Sequence, residues 1–568
     1  MKKKIFAALT AAVMTVTATA SVQGITAAAD DMNMLIPVDF SVQGTGCLDD
    51  GDIMTDNTED NENDLSPDRT ILPTAVDLSA DSAFPPIRDQ GSIGSCVAWA
   101  TTYYTYTFMV HHAKGIQSTY SNSYSPRWTY NLTNGGVDGG SYIDDAFSVL
   151  INQGALTNAE CPYTTGGYYS LDWSHDTQAM INALSTRADD KSNLTVPKTS
   201  GATFQTKLNN IKSGLNNYHP YVVGVYAVTG WTNATFKSCS DSNHSGESIC
   251  VRNASSTSSG NVTSWHALTV VGYDDTVWCD VNGNNIVDTG ETGAFKVANS
   301  WGTSWKNSGY VWVLYDALLG TSQIKAGSNS SVTWDSSYTT TRNPVFARSA
   351  NTNYFYYLTG VSDHTVGFVS EITLSTNRRN QLRVSTLCTN YNFGLVENEQ
   401  IYQKTCNTSP DTAISFSGTI VINHPCSENI AQYITGYNWG VRIEDTKNDN
   451  YSLSITSFKL VDNRNNTISS YGSSTTINGN AQSYFTSSNL AYGDVDYSGI
   501  LTQDDATLIM SYIAGNTTFS NVQIVLADFD QDGVVGIADV IALQQYLANR
   551  GFDTSAIDAM LLRYGGVL

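Results

Sequence analysis

A multidomain protein of mixed α+β class is what this sequence predicts, and three observations make the prediction. The chain has 568 residues, too many for one ordinary domain. Its pattern changes near residue 345, from helices and β-branched strands to short alternating strands. A 34-residue internal repeat then closes the chain, Asp494 recurring as Asp528. Apolar residues make up 41%, enough for real cores, and charged residues only 14%, the composition of a turn-rich exported protein.

The elements follow in chain order. Lys2, Lys3 and Lys4 precede an apolar run from Ile5 to Val16 and two small-x-small sites, so residues 1–29 read as a secretory signal peptide cleaved after Ala20 or Ala29. No other apolar run approaches 18 residues, which predicts no transmembrane anchor. Residues 30–70 read as an acidic leader or pro-segment, with 12 acidic residues and no basic one between Asp30 and Asp68. The net charge of −23 argues against nucleic acid as a partner, but it collects at the two ends and says little about a substrate.

Order is predicted to begin near Leu72. The run Cys96 to Val110 is apolar nearly all round, as in a buried helix. Residues 220–230, 267–273 and 310–315 read as strands, and residues 345–465 as an antiparallel sandwich. The Ser/Thr/Asn/Gly-rich stretch 466–491 reads as a linker. Nine cysteines, an odd number, leave at least one thiol outside any intramolecular pairing. Cys239 and Cys250 can close a small loop, and Cys388, Cys406 and Cys426 offer another pair.

The segment Gln90-Gly91-Ser92-Ile93-Gly94-Ser95-Cys96-Val97-Ala98-Trp99 puts a cysteine where a Gly-rich turn enters a helix. Unpaired N–H groups and the positive end of the helix dipole favour the thiolate there. A thiolate nucleophile needs a proton acceptor and a group to orient it. His266 in Trp265-His266-Ala267 and Asn299 in Asn299-Ser300-Trp301-Gly302 supply candidates, and Gln90 with the Cys96 N–H is a candidate oxyanion hole.

Residues 71–335 resemble the papain-like cysteine peptidases, in which Gln, Cys, His and Asn follow one another in this order. The resemblance implies a two-lobed fold, a helical lobe beside a β-barrel lobe. It places Gln90, Cys96, His266 and Asn299 on the oxyanion, nucleophile, base and orienting positions. Trp301 falls on the indole that shields the His–Asn bond, and Gly139-Gly140 on the segment whose backbone pairs with an extended substrate. Two departures stand out: Ile93 and Val97 replace the first cysteine and the aromatic residue of the usual Cys-Gly-Ser-Cys-Trp signature. The gaps are long, 170 residues from Cys96 to His266 and 33 more to Asn299.

Both C-terminal loops place oxygens at positions 1, 3, 5, 7 and 12 of a twelve-residue calcium loop. In the first these are Asp494, Asp496, Ser498, Ile500 and Asp505; in the second Asp528, Asp530, Asp532, Val534 and Asp539. Each loop opens an apolar-faced helix, and no helix is expected before either. Residues 492–553 thus resemble dockerin modules, which bind cohesin domains of a cellulosome scaffoldin. The cohesin-contacting positions would be Gln503, Asp504, Ile537 and Ala538, a polar and an apolar pair that imply one binding orientation. A third loop supplies Asp280, Asn282, Asn284, Ile286, Asp288 and Glu291 at similar spacing; it reads as a calcium site or as an Asn/Gly-rich hairpin tip.

Together the resemblances imply a secreted, calcium-loaded cysteine endopeptidase, cellulosome-associated at the bacterial cell surface, acting on protein or peptide substrates. The sandwich resembles lectin-like domains, so a carbohydrate contact there stands beside a packing role. The alternative function is an inert or lectin-like binding component of the cellulosome.

Overall fold

The computed structural model describes residue 47 and residues 71–134, 137–164, 173–226, 236–252, 265–325, 344–349, 352–389, 396–400, 414–433, 437–471, 474–479, 481–486 and 490–549. The signal peptide, the acidic leader apart from Cys47, Cys406 and the Cys426 side chain lie outside them.

One unbroken helical run, Cys96–Ala98, Trp99–Tyr106 and Thr107–Lys114, forms the spine of the first half, its middle part in π-helical geometry. The run is buried on every side as far as His111, as its apolar sequence requires. Its buried threonines satisfy their hydroxyls locally, Thr101 donating to the Val97 carbonyl and Thr102 meeting Thr129 at 2.7 Å. Gly115 ends it in a left-handed conformation, φ 63°, with its N–H on the last-turn carbonyls. Helices Pro126–Thr133 and Ile143–Asn152 pack around this spine.

Against the spine stands a sheet whose strands run in the order Lys191–Pro197, Thr352–Leu358, Tyr221–Tyr226, Trp265–Trp278, Thr292–Ala298, Tyr310–Leu314, Ser248–Cys250 and Phe236–Ser238. Ala75–Asp77 pairs with Trp265–Trp278, opposite Gly272, where a Cβ would stand 2.3 Å from the Val76 carbonyl oxygen. Strand Trp265–Trp278 is buried along its first nine residues, matching its continuous apolar sequence. Strands and helices together form one mixed unit.

The structure moves two predicted boundaries. Thr352–Leu358 belongs to the first sheet, antiparallel to Lys191–Pro197, with the Asn353 amide donating to the Val196 and Leu318 carbonyls. The sandwich therefore begins at Phe368, not at 345. Its sheets are Phe416–Asn423, Phe368–Thr376, Leu453–Asp462 and Thr467–Tyr471, with Thr475–Ile477 on Leu453–Asp462, and Val396–Gln400, Leu382–Thr389, Asn438–Asp445 and Ala481–Thr486. The predicted linker 466–491 thus contains three strands, because Ser and Thr tolerate a ladder that Ile468 and Ile477 anchor to the core.

The cysteines also depart from expectation. Cys250 stands opposite Phe236, while Cys239 shares a small buried cluster with Cys279. The C-terminal helices Gln503–Ile513 and Ile537–Ala548 pack on each other. A helix, Asn521–Ala527, does precede the second loop, held by a reciprocal Ser520/Gln523 cap. This unit sits on the sandwich: Tyr497 donates to Asp462 at 2.9 Å and Arg464 Nε to the Phe519 carbonyl at 3.1 Å.

His424 lies inside the sandwich, Nε2 2.6 Å from Ser370 Oγ and its ring edge-on to Trp439. Burial lowers its imidazole from 6.5 to about 3. Between those values the unfolded chain binds a proton that the folded one refuses, so stability is whole above about pH 6.5 and is lost as pH falls through the window. Buried His111, lowered to about 4, adds to the same slope. The expected result is a melting temperature that drops below about pH 6.5, less steeply in His424→Gln; identical slopes in both proteins contradict it.

Candidate active site

A tight turn delivers Cys96. Gly91 takes φ 64° and donates its N–H to Asp89 Oδ1 at 2.7 Å, and Gly94 N–H reaches Asp138 Oδ1 at 2.8 Å. Ser95 is the N-cap, so Cys96 is the first residue of the helical run, and it is fully buried. The dipole of a run extending to Lys114 acts on this sulfur from its positive end.

His266 reaches the same place from the sheet. Its strand lies along the helix start, so that Ala267 N–H points at Cys96 Sγ, 3.4 Å away. His266 Nε2 donates to Asn299 Oδ1 at 2.7 Å, and Nδ1 is buried with no hydrogen-bond partner. With Nε2 bonded to an acceptor, the neutral tautomer carries its proton there and leaves the Nδ1 lone pair open to a proton. Burial pulls the imidazole down from 6.5 to about 4, partly opposed by the Asn299 bond. A neutral, oriented imidazole results. The indole of Trp301 stacks on it, centroids 4.4 Å apart, and is itself buried. Trp301 therefore covers the His266–Asn299 pair.

Gln90 is fully buried beside this pair. Its Nε2 donates to the Ile93 carbonyl at 2.8 Å, its Oε1 accepts from Ser300 Oγ at 2.5 Å, and its N–H bonds the Ser300 carbonyl. The turn before Cys96 is thereby bolted to the residue after Asn299. Tyr104 adds a second bolt, its hydroxyl donating to the Asn299 carbonyl at 3.0 Å. Sequence reasoning missed Ser300 and Tyr104, though both sit inside motifs it had singled out.

Gly139 N–H bonds the Val137 carbonyl and Gly140 N–H the hydroxyl of Tyr130 on helix Pro126–Thr133. Ser141, the next residue, bridges Cys47, which also bridges Trp265 and donates its N–H to the Trp265 carbonyl at 3.1 Å. The Tyr130 hydroxyl donates to Asp138 at 2.5 Å, tying this loop to the turn that carries Cys96.

Three acidic loops share one plan. In the first C-terminal loop Asp494 accepts from Ser498 and Gly499 N–H, while Asp505 accepts from Val495 and Asp496 N–H. In the 280–291 loop Asp280 accepts from Gly283, Asn284 and Asn285 N–H, and Glu291 from Val281 and Asn282 N–H. Asn285 takes φ 59°, the left-handed turn expected at the sixth position. Ligand atoms of Asp494, Asp496 and Asp505 lie within 4.8 Å of one another, as do those of Asp528, Asp530 and Asp539. Burial, with facing carboxylates, raises Asp494 to about 6. Gln503, Asp504, Ile537 and Ala538 are all exposed at the helix starts.

A profile described as papain family cysteine protease matches residues 72–331. This region is a papain-family cysteine peptidase domain. Zingipain-2 of Zingiber officinale is 26% identical over 255 residues, covering 42% of this chain and 86% of that protein. Among solved structures, xylellain, a cysteine protease from Xylella fastidiosa, covers 58% of this chain and 95% of its own at 20% identity and a TM-score of 0.31. Procathepsin B of Trypanosoma congolense covers 49% and 83% at 18% identity and a TM-score of 0.32.

Within the peptidase domain, Asn299→Ala removes the acceptor that holds the His266 ring. We expect kcat/KM for a peptide substrate to fall about tenfold or more, as for a misoriented general base. Unchanged kinetics would remove Asn299 from the reaction.

Proposed function

We propose that this chain is a secreted papain-like cysteine endopeptidase with a Cys96-His266-Asn299 site, tethered through a C-terminal dockerin to a cohesin-bearing cellulosome scaffold outside the cell. The observation that carries the catalytic reading is the buried line Asn299 Oδ1, His266 Nε2, with Cys96 Sγ on the N–H of the residue after His266. Cys96 Sγ attacks the scissile carbonyl carbon and its proton passes to His266 Nδ1. Oxyanion charge develops beside the Cys96 N–H and the Gln90 amide, both fixed before substrate arrives. The imidazolium then protonates the leaving amine, which departs. Water, deprotonated by the same ring, attacks the thioester and frees the thiol. Asn299 holds the ring throughout, and the Trp301 indole keeps water off their bond.

Cys96→Ala is the direct test. Hydrolysis should fall below about a thousandth of wild type, while cohesin binding by the C-terminal module stays intact. Residual turnover above that level contradicts the nucleophile.

Calcium suits the C-terminal loops. Their carboxylates converge, and Asp528 Oδ1 is buried with no hydrogen-bond partner, as a ligand atom awaiting a cation would be. Asp494, Asp496, Ser498, the Ile500 carbonyl and Asp505 would hold one ion, and Asp528, Asp530, Asp532, the Val534 carbonyl and Asp539 the other. Exposed Val534, Ile537 and Ile541 then offer an apolar face for the cohesin, with Gln503 and Asp504 at its rim. We place a third ion at Asp280, Asn282, Asn284, the Ile286 carbonyl, Asp288 and Glu291. Metal analysis after desalting should find three calcium ions per chain and two in Asp280→Ala. Two ions in both proteins would make the 280–291 loop a plain turn.

A further inference from the structure

Cys47 lies in the predicted leader, far from Cys96 in sequence, yet it is buried in the peptidase unit at 3% exposure. It touches both walls of the site. One bridge joins it to Ser141, just after Gly139-Gly140, and the other to Trp265, just before His266. Its N–H bonds the Trp265 carbonyl at 3.1 Å, while Ala267 N–H, two residues along the same strand, points at Cys96 Sγ at 3.4 Å. Residues two apart on a strand present their backbone groups to the same edge, about 7 Å apart. Cys47 and Cys96 are therefore held on one strand edge at successive bonding positions, within a single buried cluster. Disulfides join Cα atoms about 4.4–6.8 Å apart, just under that spacing, so forming the bond draws the Cys47 and Cys96 backbones slightly together. Of the other described cysteines, Cys239 clusters with Cys279, Cys250 faces Phe236, Cys388 lies in the sandwich, and Cys161 sits beside Ser125 at the start of helix Pro126–Thr133.

We propose that Cys47 and Cys96 form a reversible disulfide, a redox latch on the nucleophile; this rests on the reading of Cys96 given above. The oxidant is a small-molecule disulfide. The Cys96 thiolate attacks it, forming a mixed disulfide and releasing one thiolate. The Cys47 thiolate then attacks the Cys96 sulfur and releases the second. Two thiols are oxidised, one external disulfide is reduced, and two external thiols leave. The reverse exchange with a thiol reductant frees Cys96. While the bond stands, the nucleophile is capped and Cys47 stays lodged between Ser141 and Trp265. A chain exported into an oxidising medium is thus silent until it meets reductant.

The test equilibrates the full chain in glutathione buffers from fully reduced to fully oxidised, quenches with acid and N-ethylmaleimide, and maps peptides by mass spectrometry. The expected result is one linked pair, the Cys47 peptide with the Cys96 peptide, appearing at a single midpoint. Hydrolysis of a peptide substrate should be at least tenfold lower in the linked form and return on reduction. In Cys47→Ser the linked pair is absent and Cys96 carries glutathione under the same oxidising buffer. Blocked but unlinked Cys47 and Cys96 at every potential, or Cys47 linked to any other cysteine, overturns the latch. Reversible linkage in a chain that cleaves nothing when reduced supports the latch and counts against the peptidase reading instead.

Discussion

Everything in the site depends on how strand Trp265–Trp278 is seated against the start of the helical run at Cys96. Two polar contacts lock that seam, Ala267 N–H on Cys96 Sγ and the Thr269 hydroxyl on the Ala100 carbonyl, and a third, the Tyr104 hydroxyl on the Asn299 carbonyl, ties the same helical run to the end of the neighbouring strand Thr292–Ala298. All of these groups are buried, so none can be satisfied by water if the seam opens, and each broken contact costs about 1–3 kcal/mol. The apolar character of both elements brings them together, and these contacts fix their register. In the mechanism we propose, a shift of about 1 Å would take the base and nucleophile out of reacting geometry.

The electrostatics follow from the same burial. An imidazole this deep resists a lone positive charge, so the imidazolium is favoured only when a negative sulfur faces it. The helix N-terminus stabilises that sulfur, and Asn299, being uncharged, steadies the ring without adding a competing anion. Burial thus couples the two charges, which form together or not at all.

Much of this was legible in the sequence because reactive groups sit in distinctive local settings. Cys96 stands at a Gly-rich turn before an apolar run, and His266 and Asn299 stand at the two ends of strongly β-branched segments. What escaped were residues whose roles exist only across the fold. Ser141, Asp138, Tyr130 and Ser300 are ordinary polar residues until four separate segments converge. The linker was misread for a different reason: in Thr467–Tyr471 and Thr475–Ile477, one apolar anchor per strand suffices because neighbouring strands supply the rest of the pairing. Helix Asn521–Ala527 had a readable signal, Ser520 followed three residues later by Gln523, which the Asn- and Thr-rich stretch before it obscured.

The central claim is that one sulfur at the start of one helix does the chemistry. It is tested most directly by titrating the reduced chain with a peptidyl epoxide and mapping the modified residue. The account predicts that activity falls to zero at one equivalent, with the adduct on Cys96 alone among the nine cysteines. Full inactivation with the adduct on another residue, or a fully labelled Cys96 in a chain that still cleaves peptides, would contradict it.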